Sequence, residues 1–524
     1  MSGISMFKQR GMLVKIVFFL IMLAVVLLCL FSSRFSHVIE CESIFKPETA
    51  LSNIWCGLIG VAFVAIIGMA FFKFRTSSNS GKYTFLIVSA LICVLQMFFV
   101  WNYYFETNWD VGTLTDAARD AVAGNDINVH EHYFSENPNN LLLLRIFIWV
   151  FTLAHWLGMG QSDVFLLLVV QFLLVWLSGA MLFQLLCKMR DCRTAWVGYL
   201  LFFSLVITSP WVSIPYSDTM ALAFPLGMLW LAFTSVYRKR SVRLFLICLV
   251  AVVGYKIKPQ TVLVFISLIM VYGLRLIHLR KRVLCRPCRK ELRNGAIAVV
   301  AGVLIGVVLC ATAIKSIGMH TRSESAFGFP HYLMMGMNTQ TIGSYTEDDV
   351  AFSRACPNRK ERAKANFSET RRRLQQMGVG GFFQHIGEKT IVNYFDGTFG
   401  WGWEGNFYKK ILQPKNATIS PVARDLYYTT WPRGKYYHVW ANFAQIMWMG
   451  VLMLSLLAAF GKTGRRERTV MLALVFLTLF EALFEARTRH LFCFVPLYIL
   501  TALQGLHFLG GLFKRKPKDN LLQE

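Results

Sequence analysis

Acidic residues are scarce in this chain, yet seven of its 29 Asp and Glu residues lie between residues 104 and 140, where Arg119 is the one Lys or Arg. Asp110 follows an aromatic run at the mouth of an apolar segment, and Gly112 beside it leaves room for a ligand. A carboxylate placed in this way can act as a general base on a hydroxyl nucleophile. The alternative is a solvated acidic loop, and the residues alone leave both interpretations open. The seven are Glu106, Asp110, Asp116, Asp120, Asp126, Glu131 and Glu136.

Cationic residues occupy two turns where apolar segments end. Lys256 and Lys258 lie in GYKIKPQ (254–260), and Arg487, Arg489 and His490 end the sequence EALFEARTRH (481–490). Cations at the boundary of a membrane suit a phosphate group. The alternatives are lysines that snorkel to lipid headgroups and arginines that pair with the two glutamates of their own turn.

Other segments add candidates for binding. Asp218 in YSDT (216–219) is either a second functional carboxylate or part of a helix N-cap. The segment 343–349 (GSYTEDD) contains Tyr345, and 394–407 (YFDGTFGWGWEGNF) contains Trp401 and Glu404. Interleaved Gly and aromatic residues fit a loop that stacks on an apolar or sugar ring face, and they fit an interfacial aromatic belt equally well.

The composition places these residues in a membrane protein. Hydrophobic residues make up 55% and charged residues 16% of the 524 positions, against about 25% charged in soluble domains. A soluble enzyme, a disordered protein and a disulfide-stapled secreted module are excluded. The net charge of +25 (54 − 29) reflects basic cytoplasmic loops under the positive-inside rule, and no nucleic-acid partner is expected. The pair Cys285 and Cys288 (CRPC) is a weak zinc signal, and motifs of phosphate-binding loops, dinucleotide binding, zinc proteases and serine hydrolases are absent from the sequence.

Twelve apolar runs are candidate spans, so we predict an all-α polytopic protein of about 12 transmembrane helices. The loops between them alternate between basic and acidic or mixed, which predicts a multi-pass protein of the plasma membrane with both termini in the cytoplasm. The site candidates then lie on the extracytoplasmic side. The runs fall near 13–32, 53–73, 83–103, 163–186, 195–209, 218–236, 244–257, 260–277, 295–315, 437–459, 468–484 and 491–510.

One further apolar segment, residues 140–158, does not fit the alternation, because a crossing there would invert every later loop. We predict an interfacial or re-entrant helix on the outer face, with a compensated crossing as the alternative. Two large outer loops then organise the chain into five parts. These are the N-terminal spans (1–103), a first outer loop with its interfacial helix (104–162), central spans (163–315), a large extracytoplasmic loop subdomain (316–436), and C-terminal spans with a basic tail (437–524). The large loop subdomain contains two stretches predicted to be helical, 359–376 and 382–395.

These motifs, in this order, resemble the GT-C superfamily of membrane glycosyltransferases, in particular the group of protein O-mannosyltransferases and aminoarabinose transferases. The resemblance spans most of the chain, although no single motif is strong. Family members often have Arg-Tyr where this chain has Arg489-His490, and two apolar spans precede the one that leads to Asp110. The motifs are NWD-x-G (108–112), Ala117-Ala118, YF-x-x-x-PNN (133–140), YSDT (216–219), KPQ (258–260), MMGMN (334–338), DGTFGWGWEG (396–405) and FEARTRH (484–490).

The resemblance implies a GT-C-like fold and transfer, with inversion, of a sugar from a polyprenyl-phosphate carrier to an acceptor hydroxyl at the outer face. The acceptor is a cell-envelope glycan, a lipid or a protein. Asp110 and Asp218 are then catalytic carboxylates, and Lys256, Lys258, Arg487 and Arg489 bind the donor phosphate. Neither a metal nor a cofactor is implied, since the lipid-linked sugar is a co-substrate. Residues expected to contact substrate are Glu106, Asp116, Tyr133, Asn139, Asn140, Tyr345, Trp401, Glu404 and His490.

Two other functions remain open at this level. A transporter or flippase of a lipid-linked sugar fits the number of spans, but it favours charges near the bilayer midplane, whereas the charges here cluster at span ends. A polymerase or ligase of wall polymers differs in its donor, which is a polyprenyl pyrophosphate.

Overall fold

The computed structural model describes residues 3–35, 38, 52–73, 78–234, 236–237, 239–278, 286–404, 407–429 and 434–513. Cys285, the basic tail from Lys514 and residues 39–51, which connect the first two predicted spans, lie outside these residues, as does the side chain of Cys288. The predicted CxxC pair is therefore not described. Within the described residues, no group of three or more His, Cys, Asp or Glu side chains is arranged to hold a metal ion.

The described chain is built almost entirely from helices, with one small β-pair. The helices of the first half are α1 (Gly3–Leu30), α2 (Asn53–Lys73), α3 (Ser78–Trp101), α4 (Trp109–Ala123), α5 (Glu131–Glu136), α6 (Leu141–Trp156), α7 (Asp163–Met189), α8 (Cys192–Phe202), α9 (Ser217–Met220), α10 (Ala223–Phe233) and α11 (Arg240–Ile257). Those of the second half are α12 (Val262–His278), α13 (Arg286–Lys315), α14 (Phe329–Gly336), α15 (Glu347–Arg354), α16 (Arg359–Tyr394), α17 (Trp401–Glu404), α18 (Ile419–Tyr427), α19 (Tyr437–Leu457), α20 (Arg465–Leu483) and α21 (Val495–Phe513).

Eight helical segments of the described chain are long and apolar enough to cross a bilayer. All but one coincide with predicted spans, and the exception is Pro138–Trp156. The other predicted spans are helical as well, but they are shorter or carry more charge, so the count of twelve stays a prediction. The eight are Gly11–Leu30, Asn53–Phe71, Gly81–Trp101, Pro138–Trp156, Gly160–Met189, Lys290–Lys315, Tyr437–Phe460 and Thr488–Leu512.

Close helix contacts hold the bundle together where small residues meet. A Cβ on Gly60 of α2 would lie 2.2 Å from the Ile446 carbonyl oxygen of α19, and one on Gly505 of α21 would lie 1.8 Å from the Leu454 carbonyl oxygen. Because lipid tails are as apolar as the side chains, helices in a bilayer gain their contact energy from such close backbone approach. Both glycines therefore fix how α19 sits between its neighbours.

The segments predicted to lie outside meet at one end of the bundle. The Asn108 amide donates to the Phe407 carbonyl over 2.8 Å, and the Trp211 indole donates to the Phe399 carbonyl over 3.1 Å. We call this the Asp110 end. Basic turns predicted to lie inside meet at the opposite end, where Arg466 donates to the Lys188 carbonyl over 3.2 Å. The grouping matches the charge alternation, and the assignment of the Asp110 end to the extracytoplasmic side stays a prediction.

The segments before and after helix α6, which did not fit the alternation, both lie at the Asp110 end. Before its first residue, Asn140 donates to the Tyr133 hydroxyl over 2.7 Å. Seven residues after its end, at the start of α7, Asp163 accepts from Arg119 over 2.7 Å, and the same guanidinium binds Glu106. Since the residues before and after α6 both contact the first predicted outer loop, the arrangement favours an interfacial helix over a crossing, and this placement stays a prediction.

The two predicted outer loops are joined by a β-pair that the sequence did not indicate. Strand β1 (Phe105–Thr107) runs antiparallel to β2 (Tyr408–Ile411), with Phe105 opposite Ile411. In the large loop, the two predicted helical stretches, 359–376 and 382–395, form the single helix α16, which breaks at Gly378 with φ of 61°. The strand pair therefore ties the segment that contains Asp110 to the large loop.

Candidate active site

Asp110 lies in the first turn of α4, and two phenols hold its carboxylate. The Tyr133 hydroxyl donates to Oδ1 over 2.7 Å, and the Tyr216 hydroxyl donates to Oδ2 over 2.8 Å. Asn140 in turn donates to the Tyr133 oxygen over 2.7 Å. Burial, followed by the charge of Asp110, raises the pKa of Tyr133 well above its ordinary value, so this phenol remains a donor. The carboxylate is therefore oriented on both oxygens.

Asp218 is buried at the start of the short helix α9, with 2% of its surface exposed. Its Oδ1 accepts a hydrogen bond from the Lys258 ammonium, and its Oδ2 lies 3.6 Å from Arg489 Nε. Lys258 follows the last residue of α11, where Pro259 ends the helix. Because removing one partner from a buried ion pair leaves an uncompensated charge, Asp218 and Lys258 hold each other in place.

Arg489 and Arg487 extend this cluster through the carboxylate of Glu404. Arg489 Nε lies 3.1 Å from Glu404 Oε2, and Arg487 Nη1 lies 3.3 Å from Glu404 Oε1. Arg487 Nε also donates to Glu485 over 3.0 Å. Glu404, the last residue of α17, thereby fixes two guanidiniums side by side on the turn between α20 and α21. That turn lies far from α17 in the sequence.

Two aromatic rings connect the Asp110 part of the site with the arginine part. The Arg489 guanidinium carbon lies 4.4 Å from the ring centroid of Trp109 and 5.6 Å from that of Tyr216. The two rings meet edge to face, with centroids 5.0 Å apart. Since the Tyr216 hydroxyl donates to Asp110, one side chain contacts both the carboxylate and the guanidinium.

Tyrosines of the large loop flank the cluster. The Arg487 guanidinium lies 5.9 Å from the Tyr345 ring centroid, and the Tyr345 hydroxyl donates to Glu347 over 2.6 Å. Burial raises the pKa of Tyr332 of α14, and the nearby charges of Glu485 and Asp110 raise it further. The large loop therefore contributes part of the wall around the charged residues.

A second buried layer lies next to Lys258. His490 Nδ1 lies 3.3 Å from Glu481 Oε2, and Glu481 is fully buried on α20. Lys389 of α16 is also fully buried, and its ammonium donates to the carbonyls of Gly336 and Phe484 over 2.8 and 2.5 Å. Burial lowers the pKa of Lys389 to about 7. This layer positions the turn that carries both arginines.

Several residues expected at the site lie elsewhere in the structure. Glu106 pairs with Arg119 over 2.9 Å, and the same arginine also binds Asp163. Asp116 is exposed and pairs with Lys409 of β2 over 2.5 Å. Both carboxylates therefore brace the first loop.

Three more of the expected residues have surroundings that differ from the cluster. Trp401 is fully buried, donates to the Tyr427 carbonyl over 2.8 Å and packs against Trp211, so it belongs to the core. Asn139 is exposed and donates to Asn140 over 3.3 Å. Lys256 is half-buried, and within the described part of the chain it forms no ion pair.

Sequence reasoning missed three residues of this site. Trp109 and Tyr216 stand inside the motifs NWD-x-G and YSDT, directly before one candidate carboxylate and two residues before the other. Their position next to the candidate carboxylates could have identified both as residues of the site. Lys389 has no comparable signal, because a lysine among the many cations of a helix such as α16 gives no sign of burial.

The geometry supports binding of an anion next to an oriented carboxylate. Lys258, Arg487 and Arg489 are fixed in a water-poor cluster where fixed charges act more strongly than in water. The carboxylates Asp218 and Glu404 contact these cations, so within the described residues they are not arranged as a metal site.

Comparison with known proteins identifies the class. The helices that can cross a bilayer define a multi-pass integral membrane protein, and the chain belongs to a family described as "conserved hypothetical integral membrane protein", whose model matches residues 6–506. Among solved structures, the chain is similar to the crystal structure of ArnT from Cupriavidus metallidurans bound to undecaprenyl phosphate. That match has 11% identity and a TM-score of 0.33, and it covers 83% of this chain and 81% of the other. No protein of curated function matches the sequence.

Proposed function

We propose that this protein is a membrane glycosyltransferase of the GT-C type. It transfers a sugar from a polyprenyl-phosphate donor to an acceptor hydroxyl, with inversion, at the extracytoplasmic face. One observation carries this proposal: segments separated by hundreds of residues bring Asp110 together with Lys258, Arg487 and Arg489 at one end of the bundle. An oriented carboxylate beside clustered cations suits a reaction in which a phosphate leaves and a hydroxyl loses a proton.

The cations have a defined role in this reaction. As the glycosidic bond to the phosphate breaks, negative charge grows on the phosphate oxygens, and preorganised Arg and Lys side chains stabilise it. Asp218 and Glu404 hold Lys258 and Arg489 at fixed positions, since Asp218 accepts from Lys258 and Glu404 lies 3.1 Å from Arg489. An arriving phosphate shares cations that are already in place, so little reorganisation is needed.

Asp110 is the proposed general base. The hydroxyls of Tyr133 and Tyr216 each occupy one lone-pair direction of its carboxylate and leave the others for an acceptor hydroxyl. The acceptor oxygen attacks the anomeric carbon from the side opposite to the phosphate, its proton passes to Asp110, and the electrons of the broken bond remain on the phosphate.

Two residues have roles in this proposal that differ from the expected ones. Asp218 is a positioning residue, because its carboxylate is buried between Lys258 and Arg489. Asn140 likewise acts through Tyr133. Tyr345 and His490 remain candidates for substrate contacts, and the acceptor is a glycan, a lipid or a protein.

The test is single-turnover release of polyprenyl phosphate from a panel of polyprenyl-phosphate sugars, with protein in lipid nanodiscs and native membrane extract as acceptor. We expect release with wild type and a rate lower by about 10²–10⁴-fold with Asp110→Asn, the usual contribution of a general base. Asp116→Asn is the matched control, because Asp116 lies on the same helix but is exposed and paired with Lys409. It should retain the wild-type rate.

Other outcomes separate the alternatives. Release only from polyprenyl-pyrophosphate sugars would assign the protein to the polymerases or ligases. Movement of a lipid-linked sugar across vesicles without release would assign it to the flippases. Equal rates for Asp110→Asn and Asp116→Asn would remove Asp110 as the base.

A further inference from the structure

Trp109, directly before Asp110, has an unusual backbone conformation. Its φ is 48°, in the left-handed region that a bulky side chain rarely adopts. Such a conformation persists where the surroundings fix it, often at a binding site. Here the preceding residue is pinned, since the Asn108 amide donates to the Phe407 carbonyl over 2.8 Å.

This conformation places the Trp109 indole against the site's central cation. The Arg489 guanidinium lies closer to the Trp109 ring, at 4.4 Å, than to the Tyr216 ring, at 5.6 Å. A guanidinium stacked on an aromatic face is attracted by the ring and held in one plane. The indole therefore fixes the direction in which Arg489 presents its N–H groups.

The indole N–H is itself buried and has no hydrogen-bond partner among the described residues. A buried donor without an acceptor is costly, and native structures seldom keep one without a reason. The indole can donate but cannot accept. Both oxygens of Asp110 accept from phenols and Asp218 Oδ1 accepts from Lys258. Asp218 Oδ2 and Glu404 Oε2 face Arg489 Nε at 3.6 and 3.1 Å, and this Nε is a second buried donor without a hydrogen bond among the described residues. The group that completes the site is an acceptor, and Arg489 beside it selects an anion.

We infer that Trp109 is a ligand-binding residue whose indole N–H donates to an oxygen of the lipid-linked phosphate held by Arg489. This inference rests on the proposed function and adds a neutral donor to a site otherwise described by its charges. Besides the charges of the clustered cations, the phosphate then receives one hydrogen bond, and the stacking of Arg489 on the same ring sets the placement of that bond relative to the Arg489 charge.

The experiment measures binding of farnesyl phosphate to protein in nanodiscs by calorimetry, with farnesol as the uncharged comparison. Trp109→Phe keeps an aromatic ring for Arg489 and removes the N–H. We expect farnesyl phosphate to bind about 10-fold or more weakly to this variant, the range for a hydrogen bond to a charged group, and farnesol binding to stay unchanged. Trp109→His, studied at pH 8, restores a ring N–H and should recover part of the affinity.

The matched control is Trp149→Phe. Trp149 lies on α6, where the Arg145 guanidinium stacks on it at 5.1 Å, so this variant changes the same type of contact outside the site. It should leave both affinities unchanged. Inorganic phosphate should bind more weakly than farnesyl phosphate, and equal binding would mean a free-anion site and overturn the donor assignment.

Failure of the inference differs from failure of the proposed function. If wild type distinguishes farnesyl phosphate from farnesol and Trp109→Phe does so equally well, the Trp109 role is wrong and the donor site stands. If Trp109→Phe weakens both ligands alike, Trp109 is only a structural residue. If wild type itself does not distinguish them, the proposed function fails.

Discussion

Individual side chains divide this site into an oriented carboxylate and a set of fixed cations. Asp110 accepts from Tyr133 and Tyr216, whereas Asp218 and Glu404 contact Lys258 and Arg489. The two phenols therefore hold the Asp110 carboxylate in one orientation, while the other two carboxylates hold cations in place. Carboxylates thus serve two purposes in the proposed site: one is oriented toward a substrate, and the others fix cations. The neighbours of each carboxylate decide which.

Tyr216 is the residue whose removal tests this orientation. Tyr216→Phe keeps the ring beneath Arg489 and removes the donor to Asp110, so we expect turnover to fall about 10-fold, the effect of losing one hydrogen bond to a charge. Farnesyl phosphate affinity should not change. The measurement is the single-turnover rate beside calorimetric binding, with Tyr83→Phe, an exposed tyrosine of α3, as the control. A wild-type rate in Tyr216→Phe would reject the orienting role.

Single residues also show how far sequence reasoning reaches. Asp110, Lys258 and Arg489 were identifiable because charges are rare in an apolar chain and need a reason at the ends of its apolar segments. The same argument selected Lys256, which forms no ion pair among the described residues, and interleaved Gly and aromatic residues selected Trp401, which is buried in the core. Spacing shows which residues border a segment end, whereas the direction of a side chain depends on packing between distant helices.

At the scale of elements, Lys389 joins α16 to two segments that border the site. Its ammonium donates to the carbonyls of Gly336 and Phe484, and the latter carbonyl lies three residues before Arg487. Burial lowers its pKa to about 7, whereas the pKa of a lysine in the unfolded chain is about 10.4. Between these values the folded protein binds fewer protons than the unfolded chain.

The stability of the wild type should therefore rise with pH above about 7, relative to Lys389→Met, by up to about 1.4 kcal/mol per pH unit. Below the pKa of the folded state, Lys389 is charged in both the folded and the unfolded protein. The stability difference between wild type and Lys389→Met then no longer changes with pH. Thermal unfolding in detergent between pH 6 and pH 9 measures it. Lys410→Met, which removes an exposed lysine of β2, is the control and should run parallel to wild type. Parallel curves for Lys389→Met as well would show that Lys389 keeps an ordinary pKa in the fold.

The elements themselves were predictable to different degrees. A long apolar run predicts a membrane helix by length alone, and the runs do become helices. The pair of β1 and β2 was not predicted, because three- and four-residue strands that lie some three hundred residues apart carry no local signal. The break of α16 at Gly378 falls between the two predicted helical stretches, since glycine adopts a positive φ without strain.

At the scale of the whole molecule, the arrangement of α6 makes a topological prediction. Asn139 before this helix and Gln161 after it should both be accessible from outside the cell, whereas Lys462, in the basic turn before α20, should not. A membrane-impermeant maleimide on intact cells, applied to Asn139→Cys, Gln161→Cys and Lys462→Cys, measures this against the labelling of the native cysteines. Labelling of Asn139→Cys without Gln161→Cys would mean that α6 crosses the bilayer.

The order in which the site's parts leave the ribosome follows from their positions in the chain. The carboxylate half, with Asp110, Tyr133 and Tyr216, is complete once the first 216 residues have been made. Arg487 and Arg489 are added only with the hydrophobic segment Thr488–Leu512, the last one among the described residues. A chain that stalls or is cut before that segment inserts most of its helices yet has no guanidinium for an anion. Under the proposed function, a nascent chain without this segment therefore has the carboxylate half of the site but lacks both guanidiniums.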